Sequence, residues 1–161
     1  GHANGDLTTI SGKIRDGLGE SISTICSAEG KLITISHDKE VITLKSNFEQ
    51  EWAENLGPVS TLSAGIVVDE KPTIWVGIQD GINGQLKVLC QEDGKLVSSM
   101  SCGKITSINS NGKMIAVGDE KGELFVWQDE MFNRRLISEE SNEDDERRQS
   151  MRERLKALRN R

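Results

Sequence analysis

The residues able to do chemistry are few and scattered. The chain holds two histidines, His2 and His37, and three cysteines, Cys26, Cys90 and Cys102. Each histidine falls at an expected turn with an aspartate close by (Asp6, Asp38). A metal ion needs three or four ligands at fitting geometry, and no His/Cys/carboxylate cluster has that spacing. An odd cysteine count without a C-x-x-C pair fits a reducing compartment better than a disulfide scaffold. Cys26, at the end of an expected inner strand, reads as a buried apolar thiol. Cys102, before Gly103, reads as an exposed turn residue. No G-x-S-x-G elbow, Walker loop or paired-carboxylate arrangement is present. Asp38, Asp80 and Asp119 suit turns, where short side chains bond the backbone. Trp75 and Trp127 lie in apolar strands and read as core. Trp52, beside Glu51 in a polar stretch, reads as an exposed interface residue. Contact rather than catalysis is the expectation, with no catalytic, metal-binding or cofactor-binding residue and no cofactor assigned.

Composition agrees. The 161 residues are 35% hydrophobic and 29% charged, with a formal net charge of −6. That supports a domain with a real core and is too apolar for a wholly disordered chain. No run approaches the roughly 20 apolar residues of a membrane span. An acidic balance argues against a general nucleic-acid surface. The expected setting is intracellular, cytoplasmic or nuclear.

The elements that must carry these residues recur. Ile22-Ser23-Thr24-Ile25, Val59-Ser60-Thr61-Leu62 and Ile105-Thr106-Ser107-Ile108 open three similar units, 37 and 46 positions apart. Their alternation has the period of a half-buried strand. A second β-rich run follows each: 32–35, 73–76 and 114–117. Then come an Asp-containing turn and a third run: 41–44, 85–89 and 123–127. More polar fourth runs, 48–52 and 95–100, close the first two units. Asn4-Gly5, Asn83-Gly84, Asn111-Gly112 and Lys121-Gly122 fall at expected turns.

The start of the chain matches the last unit. Gly1 to Ile10 aligns with Gly118 to Trp127, both reading Gly-x-x-x-Gly-acidic-Leu, and Gly5 to Gly122 is 117 positions, three periods of 39. Residues 1–10 therefore read as a turn and third strand, and 12–16 as the outer strand of that unit. Tandem four-stranded antiparallel units of about 40 residues are the signature of β-propeller blades.

Met114 to Trp127, MIAVGDEKGELFVW, resembles the second half of a WD-repeat. It departs from that family in Gln128, which follows Trp127 where the family has Asp. The other units end in Leu44 and Leu89, and the Gly-His pair that opens a repeat is absent from its usual place before the inner strand. The resemblance spans about residues 1–130. It implies a protein-interaction scaffold in complex assembly, in roles that include ribosome maturation.

The predicted fold is all-β: a partial propeller of four-stranded antiparallel blades, about three plus half a blade, over residues 1–137, with a C-terminal helical extension over 138–161. Rings commonly close with 4–8 blades. The sequence is thus expected to be the C-terminal part of a larger propeller, whose remaining blades or a partner chain complete the ring. A ligand or enzyme site in the central channel would need polar residues converging from inner-strand ends, where only Ser and Thr are supplied.

Beyond Ser138 the composition changes. Residues 138–146 hold six acids, and Arg147 to Arg161 hold seven bases and one acid. Ser141 with Asp144 and Asp145 suits a helix start, and Met151, Leu155 and Leu158 recur at i, i+4, i+7. Three readings stay open: a solvated tail, a partner-binding helix using Met151, Leu155 and Leu158 with Arg147, Arg148 and Arg152, or a basic arm for RNA or an anionic membrane.

Overall fold

The computed structural model describes residues 6–8, 12, 14–15, 21–28, 32–37, 40–47 and 49–131. Among them the architecture is antiparallel β. A leading hairpin pairs β1 (Leu7–Thr8) with β2 (Ile14–Arg15). Blade 1 is a meander of β3 (Ile22–Ala28), β4 (Leu32–His37), β5 (Glu40–Lys45) and β6 (Gln50–Asn55). Blade 2 repeats it with β7 (Val59–Ala64), β8 (Thr73–Asp80), β9 (Asn83–Cys90) and β10 (Leu96–Cys102). Blade 3 comprises β11 (Ile105–Ser110), β12 (Met114–Asp119) and β13 (Leu124–Gln128). The first strands lie side by side, β3 against β7 and β7 against β11, so the sheets fan out around one axis as propeller blades do.

Each opening motif does the same mechanical job. The inner strand slips register after its first residue, at Ile22/Thr24, Val59/Thr61 and Ile105/Ser107. One extra residue sharpens the local twist. In blades 2 and 3 a hydroxyl secures the bulge: Ser60 donates to the Gly77 carbonyl at 3.1 Å, and Thr106 to that of Gly118 at 3.2 Å. Gly77 also admits the next blade. A Cβ there would come within 3.0 Å of the Ile105 side chain and 2.8 Å of Ser60 Oγ.

Several expectations are corrected. The fourth run of blade 1 is Gln50–Asn55, not 48–52. His37 closes β4 rather than lying in the turn. Asn83-Gly84 is not a turn: Asp80 pairs with Asn83, and Gly81 (φ 60°) with Ile82 forms the hairpin tip. Blade 2 is longer because residues 65–72 form an extra lobe, pinned by a Val68–Lys71 bridge and burying Ile66 and Val68. Cys102 ends β10 and is half-buried, not an exposed turn residue. Asp119 is a turn anchor as expected: its Oδ1 accepts from the amides of Lys121 and Glu123 at 3.0 and 2.9 Å. No helix among the described residues is long and apolar enough to cross a membrane. The expected C-terminal helix, with Arg147, Arg148, Met151, Arg152, Leu155 and Leu158, lies outside the described residues, as does His2.

Candidate functional site

Alternation gives each blade two faces, and the repeat packs them in order. Trp75, Leu86 and Val88 of blade 2 meet Ile105, Ile115 and Val117 of blade 3. On its other side, blade 2 places Leu62, Ile74, Val76 and Ile78 against Val41 of blade 1. Leu7 of the leading hairpin covers Ile42 and Leu44 of blade 1. Blades 1 and 2 thus each turn a trailing face to the next blade and a leading face to the unit before.

The third strand carries the same position through the array. Val41 pairs with Ser36, Leu86 with Gly77 and Leu124 with Gly118, so the three are equivalent by register, and Leu7 joins them by the sequence match of residues 1–10. Leu7, Val41 and Leu86 are 5%, 0% and 2% exposed; Leu124 is 69% exposed. The next outward position repeats the contrast, with Thr43 and Val88 at 0% and 3% and Val126 at 52%. Residues that are core in earlier blades therefore face solvent on blade 3.

This apolar face has a defined frame. Ala116 sits opposite Val126, and Met114 opposite Gln128, whose amide nitrogen lies 3.6 Å from the Met114 sulfur. Met114 and Met131 are both exposed. Acidic residues flank both ends of β13: Glu120 and Glu123 in the preceding turn, Asp129 and Glu130 just after it. The opposite face of β13 is fixed to blade 2 by Phe125 and Trp127. The Trp127 ring stacks on Phe125 at 5.9 Å and packs on Trp75 at 5.1 Å between centroids.

Trp52 is not the exposed aromatic that its polar neighbours suggest. It is half-buried between blades 1 and 2, and its indole N–H donates to the Gln91 carbonyl at 2.8 Å. The cause is the β9–β10 turn, where Gly94 leaves room for the indole ring. Trp52 therefore joins two blades of the same chain. Leu124 and Val126 were missed because they read as ordinary core residues; only their repeat position shows that they lack a cover.

A cavity of about 310 Å³ lies where the inner strands end. Its lining includes Cys26, Ser63, Pro72 and Ser110. Burial pushes the Cys26 thiol up to about 12, against a backbone hydrogen bond with Ala64 that lowers it. A thiol held neutral at physiological pH is a poor nucleophile. No group of three or more His, Cys, Asp or Glu residues able to hold a metal ion occurs among the described residues.

Comparison with known proteins fits this geometry. No protein-family profile and no curated protein matches the chain. Solved structures do. BBS1N, crystallised in complex with ARL6DN, superposes with a TM-score of 0.63 at 13% identity, over 79% of this chain and 41% of that one. The dihydro-heme d1 dehydrogenase NirN superposes at 0.58 and 12% identity, over 78% of this chain and 33% of that one. The computationally designed Ika4 protein superposes at 0.58 and 14% identity, over 80% and 82%. The chain thus spans about two fifths of BBS1N and one third of NirN. A fold shared by a dehydrogenase and by a protein crystallised with a partner does not decide function. What the likeness shows is the architecture: a β-propeller arc of antiparallel blades.

Proposed function

We propose that the chain is a non-catalytic protein-interaction scaffold of WD-repeat-like type, acting inside the cell in assembly of a multiprotein complex. The observation that carries this is the exposure of Leu124 and Val126 at positions that a neighbouring sheet covers in blades 1 and 2. A surface shaped to pack against a sheet, framed by acidic residues, suits a partner that brings an apolar β-face, whether the remaining blades of a propeller or another chain. BBS1N, similar in fold, was crystallised with a protein partner, which supports the class without naming one for this chain.

The test is capture of partners from cell extract by the full chain and by its Leu124→Asp/Val126→Asp variant, both checked for folding by circular dichroism. Loss of a defined set of partners from the variant supports the scaffold; an identical set from both chains overturns it.

A second reading rests on the seven bases of Arg147–Arg161. They would give an RNA-associated assembly factor weak, salt-sensitive affinity. Titration with a single-stranded RNA at low salt decides it: no binding removes this reading.

A further inference from the structure

The outer edge of blade 2 is open in a way that the outer edge of blade 1 is not. β10 ends the strand order of its blade, and no further strand pairs with it among the described residues. Its outward backbone groups follow from the ladder. The Cys90 amide donates to the Lys95 carbonyl at 2.8 Å, on the β10 side of β9. The next amide, Gln91, donates to the Pro72 carbonyl at 2.9 Å, on the β8 side. Antiparallel residues alternate in this way. Gly84, Leu86 and Val88 therefore bond to their partners Cys102, Met100 and Ser98, which leaves Ser99 and Ser101 holding their N–H and C=O groups outward. Both serines are exposed. Propeller blades stack by their faces, so this edge looks away from the axis however the ring is completed.

Edge strands are ordinarily kept from pairing by charge or proline. β6 is: Glu51 and Glu54 lie along it, and Glu51 pairs with Lys45 at 3.0 Å. β10 has neither. Leu96–Cys102 reads LVSSMSC, and the register shift between Leu96 and Ser98 leaves Ser98–Cys102 unbroken. We propose that two copies of the chain pair β10 with β10, antiparallel about a two-fold axis, joining their second blades in one continuous sheet. With Ser99 of one copy opposite Ser101 of the other, each such pair exchanges both backbone bonds. The strand's own composition names a second copy as the occupant. Self-pairing sets a strand against itself: in β10 hydroxyl meets hydroxyl, whereas in β6 it would crowd the acids of two copies together. One open edge per copy closes the assembly at a dimer. The contact is small, so association is weak, in the micromolar range. A dimer presents every partner-binding surface twice, which raises avidity for a divalent partner.

Analytical ultracentrifugation of the full chain, from micromolar to millimolar concentration, is the test. The expected result is a reversible shift from the monomer mass toward twice that mass. Ser99→Pro removes one outward N–H and no ladder bond. It should weaken dimerisation at least tenfold while leaving the circular dichroism spectrum unchanged. A charge-swap pair guards against a proline that disturbs the fold. Ser99→Lys/Ser101→Lys and Ser99→Glu/Ser101→Glu should each stay monomeric alone and form a mixed dimer when combined, because the two positions face each other across the axis. A monomer at every concentration overturns the proposal; so do dimers that survive Ser99→Pro in folded protein, or charge variants that fail to associate on mixing. Dimers lost in Leu124→Asp/Val126→Asp but kept in Ser99→Pro would assign self-association to the blade 3 face and overturn it equally. Partner capture through Leu124 and Val126 is a separate measurement, so the scaffold stands or falls independently of the dimer.

Discussion

Trp75 of blade 2 and Trp127 of blade 3 pack with ring centroids 5.1 Å apart and planes tilted by 53°, joining two sheets that share no strand. Trp75 is buried, and its indole N–H donates to Thr73 Oγ1 at 3.0 Å; that hydroxyl donates to the Ile66 carbonyl at 2.6 Å. One aromatic residue thus ties the extra lobe of blade 2 to the seam with blade 3. Trp75→Ala is expected to cost about 3–5 kcal/mol, from lost burial and the cavity left behind. Trp75→Phe, which keeps most of the ring but leaves Thr73 without its donor, should cost about 1–2 kcal/mol. Urea unfolding of the two variants gives the comparison.

Gly77 lies under the inner strand of the next blade, so its substitution tests the stacking order. Gly77→Val places methyl groups where Ile105 and Ser60 already sit. Overpacking of this kind costs about 1–3 kcal/mol. The same change at Gly112, whose missing Cβ would meet nothing within 4 Å, has a different origin of cost, its φ of 87°. Gly77→Ala with Ile105→Ala, which removes the Cγ2 that the new methyl meets, should show a favourable coupling in a double-mutant cycle; no coupling would remove the proposed contact.

The tip of the extra lobe holds two non-glycine residues in the left-handed region, Asp69 (φ 48°) and Glu70 (φ 63°). That conformation costs an L-residue about 1–2 kcal/mol, least for Asp and Asn. Glu70→Gly is therefore expected to raise stability by about 1 kcal/mol. A rise in the thermal midpoint checks it, and a fall would mean that the Glu70 side chain contributes more than its strain.

Cys26 gives a pH dependence with a definite sign. Its thiol is raised from 9.0 to about 12 by burial, so the folded state favours the neutral form. That contribution is complete below the unfolded value and fades as pH rises from 9 toward 12. Cys26→Ser cannot titrate there. The stability of wild type relative to Cys26→Ser should fall by up to about 2 kcal/mol between about pH 8 and about pH 10.5. Denaturant melts at the two pH values measure it, and a constant difference would contradict the burial of the thiol.

Much of the fold was legible because alternation and turn chemistry are local. Ile105-Thr106-Ser107-Ile108 announces a strand wherever it sits, and the match of Leu7 to Leu124 placed the leading hairpin in the repeat. Errors arose where neighbours override local pattern. Asn83-Gly84 drew the turn two residues too far along, because Asn-Gly is a strong hairpin pair, yet the tip is Gly81-Ile82, where Ile82 is 91% exposed. Ile66 and Val68 lie in a connection but are buried, since the lobe folds back on the seam. Trp52 looked exposed among Gln50, Glu51 and Glu54, and only the approach of the β9–β10 turn covers it. The candidate site was the least legible part, because Leu86 and Leu124 have the same chemistry. Their difference lies in whether a neighbouring sheet packs on them among the described residues, which no local pattern encodes.

That difference supplies the most direct measurement. Leu86→Asp and Leu124→Asp make the same chemical change at equivalent positions, and each variant is assayed for unfolding free energy and for partner capture. Leu86→Asp should lose at least about 3 kcal/mol, as a charge buried between blades does. Leu124→Asp should lose less than about 1 kcal/mol, as at a surface, while partner capture falls sharply. Equal destabilisation by the two changes, or undiminished capture by Leu124→Asp, would contradict the account.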